Sequence, residues 1–469
     1  VSQPTRPAIK ALFKEEHHMS DPVHSEAAPE LRAADAIRPL AGAALPEEFV
    51  PHDEALPAPA KLRARVVFAL AISQFGTAVP AVSMVLVAWP NTIGTLAPND
   101  KAVVLSLLTG LVAVVGIIVS PIAGVLSDRC TSRLGMRRPF LIVGAVGGMA
   151  AMAVMGLASN VPMLILGAML YAAASGIYAG GNAPLVPDQV PDRHRGRVMG
   201  LMQVMLVFAG LIASIVLPMF LGQQFLVFAI PGAAFGAAAL IAVFLIQDRR
   251  LGKDQVTGQL SIIGIFAQFK VNPRSIPDYS WAWLGKAVTT MGTVLTTVYS
   301  YYYLTDHLDV SAEALPAALS LTGIVGLATA ILGAVIGSWI SDKFRIRKKM
   351  VLYTSLLLLV GALIAAFAPN VTVYIVALVI IGLGTGAYFP VDGAVMIDVL
   401  PGAGAESGKY MGLMTLADQV PRSLGPFLAA GILAVFSLIP GAGYPAVYIA
   451  GGVIAVIGGL LIRKVKGSV

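Results

Sequence analysis

Charge is scarce in this sequence: only 12% of its 469 residues are Asp, Glu, Lys or Arg, while 57% are hydrophobic and the mean hydropathy is +0.81. A soluble domain carries about 25% charged residues, so a surface that faces water throughout is excluded. Cysteine is scarcer still. The single Cys130 excludes an internal disulfide and a thiolate metal cluster. Four of the six histidines lie within residues 1–60, and His194 and His307 fall in loops expected on different membrane faces, so no metal site is expected. The chain has no phosphate-binding Gly-Lys-Ser/Thr loop, which excludes a nucleotide-driven pump built on it, and no HExxH or Gly-x-Ser-x-Gly. Neither enzymatic activity nor a cofactor is expected.

What is abundant is apolar sequence in runs of about 20 residues, the length that crosses a bilayer as a helix. Twelve such spans are expected, near 66–89, 102–126, 139–159, 161–186, 198–221, 225–247, 280–304, 314–340, 350–368, 371–397, 410–437 and 443–462. Of the 27 bases after residue 60, 24 fall before span one, in every second loop, or after span twelve. The intervening loops hold only Lys101. This bias predicts both termini on the cytoplasmic side of the plasma (inner) membrane. It also explains the pI near 9.4 without a nucleic-acid partner.

Residues 1–60 hold ten acids against five bases and lack apolar periodicity, so a disordered cytoplasmic tail is expected. Its early bases are not followed by an apolar run, so it does not read as a signal peptide. Met19-Ser20-Asp21-Pro22 is a plausible translation start. Residues 61–247 and 279–469 then form two six-span halves. The linker 248–278 between them carries an apolar patch, Leu260 to Phe269, that could lie flat at the membrane surface.

The halves repeat. Gly124-Val125-Leu126-Ser127-Asp128-Arg129, ending in Arg137-Arg138, matches Gly337-Ser338-Trp339-Ile340-Ser341-Asp342-Lys343, ending in Lys348-Lys349. Ser175-Gly176-Ile177-Tyr178 with Asp188 and Pro191 matches Thr385-Gly386-Ala387-Tyr388 with Asp398 and Pro401. Met199-Gly200-Leu201-Met202 matches Met411-Gly412-Leu413-Met414. A duplicated six-span unit is a known transporter plan.

The Gly-x-x-Ser-Asp-Arg/Lys loop with its trailing bases resembles the loop between spans two and three of the major facilitator superfamily. The resemblance implies an all-α fold of twelve spans in two repeats and transport by alternating access. Gly124, Asp128, Arg129, Arg133, Arg137, Arg138, Gly337, Asp342 and Lys343 then read as a cytoplasmic gate, close helix contacts with breakable ion pairs. Some of these bases could instead serve only topology. The stretch from Ser127-Asp128-Arg129 through Arg137-Arg138-Pro139-Phe140 resembles sucrose transporters within the glycoside–pentoside–hexuronide class of cation symporters. That resemblance implies proton-coupled import of a sugar or glycoside, with a sodium gradient the alternative energy source. There is a departure, because Ala172 stands where plant sucrose transporters place an acid in span four. A proton-driven exporter of drugs or metabolites and a non-transporting receptor or scaffold are the alternatives.

A charged side chain near mid-bilayer costs several kcal/mol. Lys286, Asp392, Asp418 and Arg422 all lie within spans of the second half, and registering the repeats sets them opposite Leu70, Asn182, Leu206 and Gly210. Asp418 is expected to take up the proton, alone or with Asp392, while Arg422, one turn on, binds substrate or tunes Asp418. A self-neutralising Asp418–Arg422 pair is the alternative. Lys286 could snorkel past Trp281 and Trp283 or pair with Asp392 or Asp418, and Asp392 could be gate rather than carrier. Gln74, Asn182, Gln203 and Thr293 are candidates for sugar hydroxyls, with helix–helix hydrogen bonding the alternative for each, and Tyr178 and Tyr388 are candidates for stacking on a sugar ring. Thr297 and Tyr299 are further polar candidates in span seven, and Tyr301, Tyr302 and Tyr303 are expected in an interfacial belt. The expected partners are a small solute and the lipid bilayer, with the chain a monomer.

Overall fold

A computed structural model describes residues 62–246, 248, 250–251, 273–400, 407–439 and 441–466. The tail and the amphipathic stretch expected in the linker lie outside the described residues. Among the described residues the fold is all-α, with twelve long helices: α1 (Ala64–Leu96), α2 (Lys101–Asp128), α3 (Arg138–Gly156), α4 (Val161–Asn182), α5 (Asp192–Val216), α6 (Gln224–Leu245), α7 (Pro277–Val298), α8 (Leu315–Phe344), α9 (Arg347–Ala366), α10 (Val371–Asp398), α11 (Ser407–Phe436) and α12 (Gly443–Ile462). Eleven are long and apolar enough to cross a membrane. The other is α7, where Lys286 and five threonines dilute the apolar run.

Local chemistry places the helix ends symmetrically. Asn160 and Asn370, at equivalent positions, each accept a backbone N–H three residues on (2.9 and 3.0 Å) and so start α4 and α10. Close crossings recur too. A Cβ on Gly180 of α4 would meet the Ala123 backbone of α2 at 2.6 Å, and one on Gly386 of α10 would collide with the Ala330 carbonyl of α8. Exposed apolar side chains such as Phe244 and Val335 line the lipid-facing circumference.

Each half packs on itself, and the halves meet mainly along α2 against α11 and α5 against α8, two contacts related by the repeat. These contacts gather toward the face opposite the basic loops, here called the distal face. There Lys101 pairs with Asp306 (2.9 Å), Tyr301 donates to Asn91 (3.0 Å) and Tyr302 donates to the Pro90 carbonyl (3.2 Å). Deeper in, Ser106 of α2 donates to the Pro426 carbonyl of α11 (2.7 Å). Tyr301, Tyr302 and Tyr303 are buried, which corrects the expected interfacial belt: burying these rings between helices outweighs placing them at the lipid boundary.

Toward the basic face the halves part. Gly210 of α5 packs on Leu327 of α8, yet Gln203, two turns nearer the basic face on the same side of α5, is exposed. Arg422, one turn from Pro426 on α11, is exposed in the same way.

Candidate functional site

Within this opening, the second half holds its charge at the junction of three helices. Lys286 Nζ of α7 donates to Asp392 Oδ2 of α10 (2.8 Å) and lies 3.2 Å from Asp418 Oδ1 of α11. Exposure separates the two acids: the Lys286 and Asp392 side chains are 4% and 1% exposed, the Asp418 side chain 30%. Asp392 is therefore a sealed counter-ion, and Asp418 the carboxylate that water reaches. Lys286 pairs rather than snorkels, because two carboxylates meet it where a snorkelling chain would have to leave them unpaired. The Asp418–Arg422 pair is likewise not the arrangement observed. Asp418 turns to Lys286, and Arg422 has no ion pair or hydrogen bond among the described residues.

The equivalent place in the first half is neutral. Ser73 of α1 is hydrogen bonded to Tyr178 (2.7 Å) and Asn182 (2.8 Å) of α4. At the same register the second half has Thr289, Tyr388 and Asp392, with the Tyr388 hydroxyl beside Asp392 without closing a directed hydrogen bond. One turn away, Leu70 stands where the second half has Lys286. Tyr178 and Tyr388 are fully buried, so neither ring offers a face to a sugar in this state. Their expected stacking role gives way to one inside each half-bundle.

The other candidates divide by direction. On α1, Ser73 turns to α4, Gly76 packs on Ala238 of α6 and Phe75 stacks near Phe208 of α5 (6.1 Å), which leaves Gln74, partly exposed, directed toward the other half. Gln203 opens onto the same gap. Asn182 is partly exposed but committed to Ser73, and Thr293 is buried with its hydroxyl bonded to the Thr289 carbonyl (3.1 Å). Thr297 donates likewise to the Thr293 carbonyl (3.1 Å), while the Tyr299 hydroxyl reaches Ser106 across the halves (3.1 Å).

The basic face carries two matching latches. Arg137 pairs with Asp128 and, at 3.2 Å, with Asp188; Arg347 pairs with Asp398 (2.6 Å) and Asp342 (3.4 Å). Each ties the α2–α3 or α8–α9 loop to the end of α4 or α10 within its own half. Asp248 extends the first latch, accepting from the Arg137 and Arg138 backbone (2.8 and 2.7 Å). Arg133 is exposed, and Lys343 lies over the Trp339 ring (4.5 Å). A Cβ on Gly337 would press on Ala387, whereas Gly124 has open space at its Cβ and serves only through its backbone, against Gly180. Sequence reasoning had set Lys348-Lys349 against Arg137-Arg138 and missed Arg347. The spacing that relates Asp188 to Asp398 also relates Arg137 to Arg347 and would have found it.

Two six-helix repeats, closed against each other on one face and parted on the other, with a charge cluster at a three-helix junction of the second, define a membrane transporter rather than an enzyme. The chain belongs to the Major Facilitator Superfamily, whose model matches residues 66–344 and 282–467. Among solved structures it resembles a bacterial homologue of the human lysosomal transporter Spinster, inward-facing and occupied, with a TM-score of 0.68 at 16% identity over 86% of this chain and 97% of that one. It also resembles the nucleoside transporter NupG, with a TM-score of 0.67 at 12% identity over 85% of this chain and 99% of that one. Curated relatives match in short stretches. Inositol transporter 4 of Arabidopsis thaliana is 44% identical over 62 residues, 13% of this chain and 10% of the relative. The general alpha-glucoside permease of Schizosaccharomyces pombe is 44% identical over 50 residues, 11% of this chain and 9% of the relative. The matches thus span about a tenth of these relatives.

Proposed function

We propose that the chain is a proton-coupled symporter that takes up a sugar or glycoside by alternating access, as a monomer in the plasma membrane with its basic face in the cytoplasm. The observation that carries the reading is Lys286 held between a sealed Asp392 and a water-reached Asp418. A proton arriving on Asp418 cancels its attraction for Lys286, which stays with Asp392. The α7–α11 contact then loses an ion pair. The same two helices carry the distal closure, since α7 runs on into Tyr301, Tyr302 and Asp306 while α11 supplies the Pro426 carbonyl. Proton occupancy and gate position are thereby joined through two rigid elements.

The solute sits between the halves, near Gln74 and Gln203 on one side and Arg422 on the other. The sugar assignment draws on the Ser127–Phe140 signature and on the two partial relatives, whose names specify inositol and alpha-glucosides. The loop bases support the orientation.

The test is uptake into proteoliposomes. A radiolabelled sugar that accumulates on acidifying the outside, and that carries protons inward when added alone, is expected. Asp418→Asn is expected to abolish accumulation while sparing equal-concentration exchange. Accumulation by Asp418→Asn against a gradient overturns Asp418 as carrier. Efflux of lipophilic cations in place of sugar uptake makes the chain an exporter, and no flux of any solute makes it a receptor or scaffold.

A further inference from the structure

Three charges of the site are accounted for by one another; the fourth, Arg422, has no such partner among the described residues. We infer that Arg422 is the docking point for an acidic group on the solute, so that the transported sugar is a carboxylate-bearing monoanion carried together with one proton. This rests on the coupling reading above.

The direction of Arg422 follows from its neighbours. Gly425 packs on Val294 of α7, and Pro426 accepts from Ser106 of α2. At about 100° per residue these positions flank Arg422, which therefore points between α7 and α2, toward the first half. The lipid-facing stripe of α11, Leu424 and Leu428, lies on the far side of the helix. An arginine exposed on this inner face opens onto the gap between the halves rather than onto the lipid-facing side of α11. Among the described side chains no carboxylate of the first half pairs with it. The acids of α2 and α4 or of the turn after it, Asp128 and Asp188, are held at the basic face by Arg137.

Charge balance gives the unpartnered cation a consequence. With both acids ionised, Lys286, Asp392, Asp418 and Arg422 sum to zero. The groups that face Asp418 are Lys286 from α7, Asp392 and Tyr388 from α10 and Arg422 on its own helix. The other helices packed on α11, α2 and α12, carry their ionisable groups only toward their ends. Once Asp418 takes a proton, Lys286 and Asp392 balance each other and the site holds one excess positive charge, that of the Arg422 guanidinium one turn along α11. A carboxylate bound bidentately to Arg422 restores neutrality. Proton and anion then favour each other's binding reciprocally, and neither loads the membrane crossing with net charge. A neutral solute leaves the crossing site with a charge of +1.

The experiment uses the full chain in proteoliposomes with matched probes: glucuronate and its methyl ester, methyl glucuronide and methyl glucoside. The acids are expected to exchange at least about tenfold faster than their neutral counterparts. Their uptake should respond to a pH gradient and not to a valinomycin-set potential. Arg422→Gln is expected to erase the preference, and Arg422→Lys to retain part of it. The wild-type preference and the voltage response need no variant, so the inference stays testable if Arg422→Gln fails to fold. Proton-driven uptake of the neutral probes, accelerated by potential, overturns the inference and leaves the symport reading intact. Acid-selective exchange that never moves protons keeps Arg422 as the dock for the acid but overturns the companion proton, and the coupling reading with it. Exchange of no probe overturns both.

Discussion

Neutralising the two carboxylates around Lys286 one at a time gives a test whose size follows from exposure. At an effective dielectric of about 20, ion pairs at 2.8 and 3.2 Å differ by less than about 1 kcal/mol. Distance therefore does not separate Asp392 from Asp418; solvent does. Asp392→Asn removes the sealed partner and leaves Lys286, itself 4% exposed, with a single, partly hydrated carboxylate. Breaking a buried pair in this way costs about 3–5 kcal/mol. Asp418→Asn removes a carboxylate that is 30% exposed and leaves the sealed pair whole, so its cost falls to about 1–2 kcal/mol. The assay is equilibrium unfolding in mixed micelles titrated with an anionic denaturing detergent. The double variant Lys286→Met with Asp392→Asn, which leaves no buried unpaired charge, is expected to recover at least half of the loss. Equal destabilisation by the two single substitutions, or a double variant no more stable than Asp392→Asn, refutes the division into sealed and exposed acids.

Reversing either end of the distal ion pair, Lys101→Asp or Asp306→Lys, should cost under about 1 kcal/mol of stability, since both groups are part-exposed. It should also populate the state open at the distal face. In a Cys130→Ser background, a Ser106→Cys reporter is expected to react faster with an impermeant maleimide in each reversal and at the original rate in the double reversal. Gly386→Val is expected to cost about 1–3 kcal/mol or more by forcing α10 away from the Ala330 backbone. Gly393→Val, with open space on the same helix, is expected to be near neutral, and thermal unfolding of the pair checks this. Burial holds the His307 imidazole below its ordinary range, against the smaller opposing pull of Asp309. The unfolded chain thus binds that proton more readily, so the stability His307 contributes is complete above about pH 6.5 and declines as the pH falls through that value. Melting of His307→Gln at pH 5 and 8 should show a weaker pH dependence than the parent.

Span number and repeat were legible because both are written locally, in apolar run length and in matched blocks such as Ser175–Tyr178 and Thr385–Tyr388. The deep charges were legible as well, because each is costly in a membrane and stands out against its run. What the sequence did not disclose was pairing. Lys286 stands 106 residues from Asp392, and no linear pattern says that it prefers Asp392 and Asp418 to the membrane surface. The i,i+4 spacing of Asp418 and Arg422 suggested a pair that a three-helix junction overrode. Tyr301, Tyr302 and Tyr303 misled for a related reason: tyrosines at the end of a span suit an interfacial belt and a helix junction equally, and only the position of α1 and α2 decides between them.

The largely buried hydroxyl–amide arrangement of Ser73, Tyr178 and Asn182 stands where the second half places its charges, and it holds no Lys, Asp or Glu to exchange a proton. If protons travel only along α7, α10 and α11, the transport route has one wall that titrates and one that does not. Ion and solute can then share a single chamber and still be read by different walls. A change in what is carried could be made on the inert wall, at Gln74 or Gln203, while the energy source on the other wall stays untouched.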